Sequence, residues 1–465
     1  MSRYSRSPGW RTTFGPRTGR AKGRGLAPLA PQLAPIDAAA PEAASVTTAG
    51  FSFKGSRFAP TVAVVLLALI AARVAEIVPG VARFRPALLA AVIGGSLVLF
   101  QTQPAQLFAR FRNPVLIAFL GFAAWATVTV PFAVWPGQAA NSLYPVFAPA
   151  LVMITVLALC PASLSMLDRV TTGLVLSFGA LFLSVLSDSL VWRGRLYTSG
   201  SLDPNDLASC AAIVFPMAIM QIRRRNPLWL LVALSVAPLA VYVLLQTGSR
   251  GGTLAFAASA LTLCLVLPWR FRALASFLLI VGVPVVWAVA PPTFRNRVKS
   301  LTSLESDYNS YDFFGRKELW KRGIGYAVRN PITGVGLGNF DTAEGETLRA
   351  LGQGGKWSAA HSAYIQVFAE LGFVGGFFWT LLLARAAQIF ARLARRRGRP
   401  EYIAALAGWA MGAVFLSHAY FWAFFGLIAL AALAWQVELQ GTATAALQPV
   451  SSAPARLRGW RTRHA

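Results

Sequence analysis

The chain has three histidines: His361, His418 at the end of an apolar run, and His464 near the C-terminus. His361 opens the stretch HSAYIQVFAELGFVGG, where a polar segment gives way to an apolar one. A histidine at a water boundary exchanges protons near neutral pH and suits general-base work. A polar interfacial residue with no chemistry fits the same position. Tyr364 and Glu370 follow in the same stretch. Glu370 falls about two and a half turns into the apolar run, where an acid is costly and by default functional or paired.

Arginines supply the complementary chemistry. Within FFGRKELWKRGIGYAVR (313–329), Leu319, Trp320, Ile324, Ala327 and Val328 recur at helical spacing, with Lys317, Glu318, Lys321 and Arg322 on other faces. That pattern predicts an amphipathic helix on a membrane surface, ended by Asn330-Pro331. Arg316 lies along the apolar stripe, so it either snorkels to headgroups or reaches a buried anion. Arg250, in QTGSRGG, occupies a short turn between two apolar runs, where glycine lets backbone amides approach a ligand closely. In SLDPNDLA, Asp203, Asn205 and Asp206 stand at the start of another run. Helix capping is the plain reading of that cluster. GVGLGNF contains Gly334, Gly336 and Gly338 but neither follows a strand nor opens a helix in a βαβ unit. A tight turn is expected there, not a nucleotide loop.

The elements that must position these residues are membrane helices. The 465 residues are 56% hydrophobic and 13% charged, with mean hydropathy +0.55. That leaves too little charge for a globular surface. Apolar runs near the roughly 20 residues of a bilayer span cover 60–79, 86–103, 114–134, 143–161, 169–190, 205–222, 227–246, 251–268, 271–290, 362–384, 401–418 and 420–437. The expected fold is an all-α polytopic transmembrane helical bundle of about 12 spans, with one large loop, 291–361, containing short amphipathic helices. A long loop in a compact protein is usually functional. Arg73 and Glu76, at one-turn spacing in the first run, read as a structural pair.

Residues 1–58 carry alternating Arg, Ser, Gly and Pro without apolar periodicity. They read as a disordered basic tail and not as a signal peptide. Residues 438–465 read as a second tail around the 59–437 membrane domain. The net charge of +26 would suggest nucleic acid in a soluble protein. Here the Lys and Arg fall in short loops and tails that suit an anionic leaflet, so membrane lipids, not nucleic acid, are the expected partners. Arg110, Arg112, Arg169, Arg223 to Arg225, Arg270, Arg272 and the 392–399 run then lie inside, with both termini cytoplasmic. Loop 291–361 falls outside. Cys160, Cys210 and Cys264 all lie in apolar runs and form neither a disulfide framework nor a zinc site. With its histidines so dispersed, the chain is expected to hold no metal or cofactor.

Three segments, TGSRGG (247–252), GRKELWKRGIGYAVRNPITGVGLGNF (315–340) and HSAYIQVFAELGFVGG (361–376), together resemble the O-antigen ligase / O-antigen polymerase superfamily of bacterial envelope glycosyltransferases. The resemblance spans about residues 60–437. It implies transfer of a glycan from undecaprenyl pyrophosphate to lipid A–core or another glycan, on the outer face of the inner membrane, without a nucleotide sugar or metal. It implies that Arg250 and Arg316 hold the donor pyrophosphate and that His361 is the essential loop histidine. Asp206, Tyr364 and Glu370 are candidate supporting residues. The rival class is a polysaccharide or lipid-linked sugar transporter. That class predicts internal repeats and polar groups at the midplane, whereas the candidate residues gather at one end.

Overall fold

The computed structural model describes residues 92–93, 95–96 and 104–447, except 161, 188, 193–194, 199–201, 225–226, 302–314 and 355–356. They fall in the second of two units into which the chain divides, Gly55–Ala465. The expected spans 60–79 and most of 86–103, the 1–58 tail, the Arg73–Glu76 pair and residues 448–465 lie outside the described residues.

Helices dominate. They are α1 (Pro104–Phe111), α2 (Pro114–Val128), α3 (Pro136–Leu159), α4 (Leu164–Ser187), α5 (Pro204–Ile219), α6 (Pro227–Thr247), α7 (Arg250–Val266), α8 (Trp269–Val289), α9 (Pro292–Lys299), α10 (Arg316–Arg329), α11 (Phe340–Ala350), α12 (Ala363–Arg397), α13 (Glu401–Ala413) and α14 (Trp422–Leu447). Six of these open on proline at the first helical position, where the missing N–H costs nothing. The sequence reading missed one antiparallel hairpin, β1 (Ser189–Trp192) with β2 (Arg195–Thr198), in register Trp192↔Arg195.

Among the described residues seven helices are long and apolar enough to cross a membrane, and α2 and α7 are shorter apolar helices. All ten expected spans from 114 onward correspond to a helix. At about 1.5 Å per residue, the 13 residues of α13 cover only two-thirds of a bilayer core. The turn 414–421, which hydropathy absorbs into two adjoining spans, follows it.

Contacts sort the helix ends into two groups. At one end Arg110 donates to the Leu159 carbonyl (2.5 Å), Arg399 pairs with Asp168 (2.6 Å), and Arg223 reaches Glu401 (3.6 Å). At the other, Trp135 N–H donates to Asn339 Oδ1 (3.0 Å) and Arg250 to Ser300 Oγ (3.3 Å). Small residues let helices approach closely, as membrane packing favours. A Cβ on Gly408 of α13 would meet Ser259 Cβ of α7 at 2.8 Å, and one on Gly252 would overlap Ala208 of α5. Asn113 caps α2 through Val115 N–H (3.0 Å) while its amide donates to the Ala432 carbonyl of α14 (2.8 Å). By contrast α8 has no buried residue.

Between α8 and α12 the amphipathic helices pack inward. Leu319, Gly323, Tyr326 and Ala327 of α10 are buried, and α10 packs on α12. The expected stripe is not one buried face: Ile324 and Val328 are exposed, because α10 packs on α12 and Phe340 through Leu319, Gly323, Tyr326 and Ala327. Arg322, expected off the apolar stripe, makes a bidentate pair with buried Glu344 of α11, Nε donating to Oε2 (3.0 Å) and Nη2 to Oε1 (2.6 Å). Tyr326 donates to the same carboxylate at 2.9 Å, and burial raises its hydroxyl to about 12, keeping it a donor. Glu344→Ala strips Arg322 of its counter-ion. A cost of about 3–5 kcal/mol is expected for breaking such a pair, read as a lowered midpoint of thermal unfolding. An unchanged midpoint would mean that the pair ties nothing.

Candidate functional site

The site is built where α5, α7, α12 and α14 all begin. Asp203 caps α5 in a capping box: its carboxylate accepts from Asn205 N–H (2.7 Å) and Asp206 N–H (2.9 Å), and Asp206 Oδ2 accepts from Asp203 N–H (3.0 Å). Ser249 caps α7 through Gly252 N–H (3.0 Å) and donates to Asn205 Oδ1 (2.8 Å), which joins the two helix starts. The capping reading of the SLDPNDLA cluster therefore holds, and Asp206 does more besides.

Three arginines gather at the turn between α6 and α7. Arg195 of β2 donates to the Thr247 carbonyl (2.8 Å) and to Asn205 Oδ1 (3.2 Å). Gly248 (φ +56°) lies against the stems of Arg297 and Arg195, at 3.3 and 3.8 Å from where a Cβ would stand. Arg250 follows two residues later, half-buried. Its neighbours Arg297 and Ser300 belong to the α9 segment. The sequence reading missed Arg195, Arg297 and Ser300 because they lie in two short segments, β2 and the end of α9, that only the fold brings to this turn.

The turn 414–421 faces this cluster and connects it to His361. Phe415 packs on Gly251, 3.2 Å from a Cβ placed there. Ser417 Oγ accepts the backbone N–H of His361 (2.8 Å), and His418 Nε2 meets Asp206 Oδ1 (2.7 Å). The Trp379 indole donates to the Ala419 carbonyl (3.1 Å). His361 is exposed and has φ 49°, the one non-glycine residue with positive φ among the described residues. Left-handed backbone in such a residue persists only where its surroundings impose it. Here Ser417 supplies a specific tether.

Arg316 opens α10. One turn later Trp320 donates its indole N–H to the Ala360 carbonyl (3.1 Å), immediately before His361. Residues i and i+4 share a helix face, so Arg316 lies on the side of α10 turned toward the His361 segment. Tyr364, by contrast, spends its hydroxyl on the Ala410 carbonyl of α13 (3.0 Å).

Glu370 is buried and accepts from Gly338 N–H (2.9 Å). Helix α12 kinks at Gly372 (φ 65°, ψ −169°). The carbonyls this frees are taken up from outside: Ala369 O by Val335 N–H (2.8 Å), Glu370 O by Gly336 N–H (2.8 Å), and Leu371 O by the Trp125 indole (3.0 Å). The GVGLGNF segment is the tight turn expected of it, with φ of +67°, +104° and +66° at Gly334, Gly336 and Gly338.

The arrangement offers a cluster of guanidinium groups and an exposed histidine held by its backbone at one end of a membrane bundle. Residues 234–380, which hold Arg250, Arg316, His361, Tyr364 and Glu370, match a protein family described as O-antigen ligase. No curated protein matches the chain.

Proposed function

We propose, on the match of residues 234–380 to the O-antigen ligase family, that the chain is a membrane glycosyltransferase moving a glycan from undecaprenyl pyrophosphate to lipid A–core or to another glycan. The observation that carries the reading is that the turn 414–421 meets Gly251 beside Arg250, the Asp206 carboxylate and the His361 backbone N–H. In the proposed step the acceptor hydroxyl attacks the anomeric carbon of the donor sugar. The bond between that carbon and the phosphate oxygen breaks, and the hydroxyl proton passes to His361. The leaving undecaprenyl pyrophosphate keeps the electron pair and gains negative charge. Arg250 and Arg316 neutralise it, since a planar guanidinium can bind phosphate oxygens in pairs. Arg195 and Arg297 strengthen the positive field at the same turn. Asp206 and Glu370 support the site through the contacts described above.

The working arrangement is a bacterial inner-membrane protein with 59–437 as transferase domain, cytoplasmic tails 1–58 and 438–465, and the Arg250–His361 end facing the periplasm. Deleting the gene and resolving lipopolysaccharide and secreted polysaccharide on gels tests the function. Loss of all capped lipid A–core means a ligase. Capping by single repeats means an O-antigen polymerase, and lost slime with normal lipopolysaccharide an exopolysaccharide polymerase. Unaltered glycans of every kind would end the proposal.

Two further expectations belong here. A cysteine at Glu346, exposed on α11, should react with an impermeant thiol reagent added to spheroplasts, and one at Arg395, exposed beyond the membrane part of α12, only after the inner face is opened. The reverse pattern would invert the topology. The histidines are dispersed in sequence and the resembled family works without metal, so purified protein should keep its transfer rate in EDTA. A loss that magnesium restores would contradict metal-independent transfer.

A further inference from the structure

His418 is the second histidine of this end, and its environment is unlike that of His361. Its ring is buried (4% exposed) and stacks flat on Phe421, with centroids 4.1 Å apart and planes 9° apart. Nε2 lies 2.7 Å from Asp206 Oδ1, while Nδ1 is buried without a hydrogen-bond partner. With a ring proton on Nε2, the Asp206 carboxylate receives an N–H at that edge. Placed like this, the ring is buried and held at one edge by Asp206 and on one face by Phe421. The residue before it, Ser417, accepts the N–H of His361 at 2.8 Å. Asp206 is itself locked into the first turn of α5 by the capping box.

We propose that the Asp206–His418 pair is a positioning element of the transfer site, anchoring the turn 414–421 to α5 so that Ser417 holds His361 in its left-handed backbone conformation. The inference rests on the reading of His361 as the base of transfer. His418 touches no substrate in it; it acts through Ser417 and His361. The pair links the arginine-bearing helix starts to the histidine-bearing one, so its loss should misplace the base relative to the donor. A misplacement of about 1 Å can cost about 10²-fold in rate.

The test uses the full chain in lipid nanodiscs, with transfer, donor binding and hydrogen exchange at the His361 amide each measured. His418→Leu should lower turnover per folded molecule by about 10²-fold, leave donor binding unchanged, and speed exchange of the His361 amide. His418→Gln, whose side-chain amide can replace Nε2–H, should restore most of both. Ser417→Ala removes only the acceptor hydroxyl and should reproduce the exchange and rate effects even if His418→Leu folds poorly. In a His361→Ala background, neither change should slow the residual rate further. Unaltered protection of the His361 amide in His418→Leu and Ser417→Ala, or additive losses on top of His361→Ala, would overturn the proposal. A wild-type protein that transfers nothing, yet shows the exchange changes, would sink the transferase reading and leave the positioning role standing.

Discussion

If His361 is the proposed base, His361→Ala should lower glycan-transfer turnover by about 10²–10⁴-fold, the range a positioned general base supplies, while the protein still inserts and binds the proposed lipid-linked donor. The wild-type rate should fall as pH drops through the imidazole range, near 6.5 in water, because a protonated ring cannot accept the hydroxyl proton. The sign separates the alternatives. A histidine holding phosphate as a cation would bind donor more tightly on acidification. One that only packs would cost folded protein and not turnover per molecule. Replacement at His361 also removes a side chain from left-handed backbone, where Gly is easier to accommodate than Ala. His361→Gly therefore controls for strain: equal losses in both variants assign the effect to the ring, and full activity in a folded variant would remove His361 from the chemistry.

The second large effect is expected at Arg316, which opens α10 one turn before the Trp320–Ala360 tether. If its guanidinium clamps pyrophosphate, Arg316→Lys should be nearly as damaging as Arg316→Ala, because an ammonium cannot reproduce the two-pronged contact. If it only snorkels to headgroups, lysine should serve, since both long side chains snorkel alike. Transfer rates of the two variants at equal membrane abundance decide it, and near wild-type transfer by Arg316→Lys would refute the clamp.

Much of the architecture was legible because the bilayer enforces it. Runs such as 227–246 and 271–290 correspond closely to α6 and α8, since no other regular structure satisfies a lone apolar segment's backbone in lipid. The boundaries that moved did so for local reasons. Helix α3 begins at Pro136, ahead of the expected span, and the run 401–418 stops at Ala413 because 414–421 is a turn that hydropathy alone cannot distinguish from a helix. The stripe on α10 was half right. Helical spacing picks out a face, but Tyr326 and Gly323 outweighed Ile324 and Val328 once Phe340 and α12 became the partners. In the site, Arg250 and His361 were readable as rare polar residues in exceptional positions. The residues that connect them were not: the Ser417–His361 bond and the His418–Asp206 bond span 56 and 212 positions of sequence. A histidine between two apolar runs was the one available hint of that turn.

The kink at Gly372 has a bearing on how this end of the protein can vary. The bonds from Val335 and Gly336 to Ala369 and Glu370 run from main chain to main chain, and are therefore indifferent to which side chains sit on those four residues. What they require is bare backbone at the crossing: a Cβ on Gly334 would strike the Glu370 carbonyl, and one on Gly372 the Ile332 carbonyl. Variation should accordingly divide sharply along this seam. Ile332 and Thr333, one exposed and the other half-buried, have room to diversify, while Gly334 and Gly372 are closed to every other amino acid. A rim built this way can change its surface chemistry from one descendant to the next without loosening its attachment to the helix that follows His361.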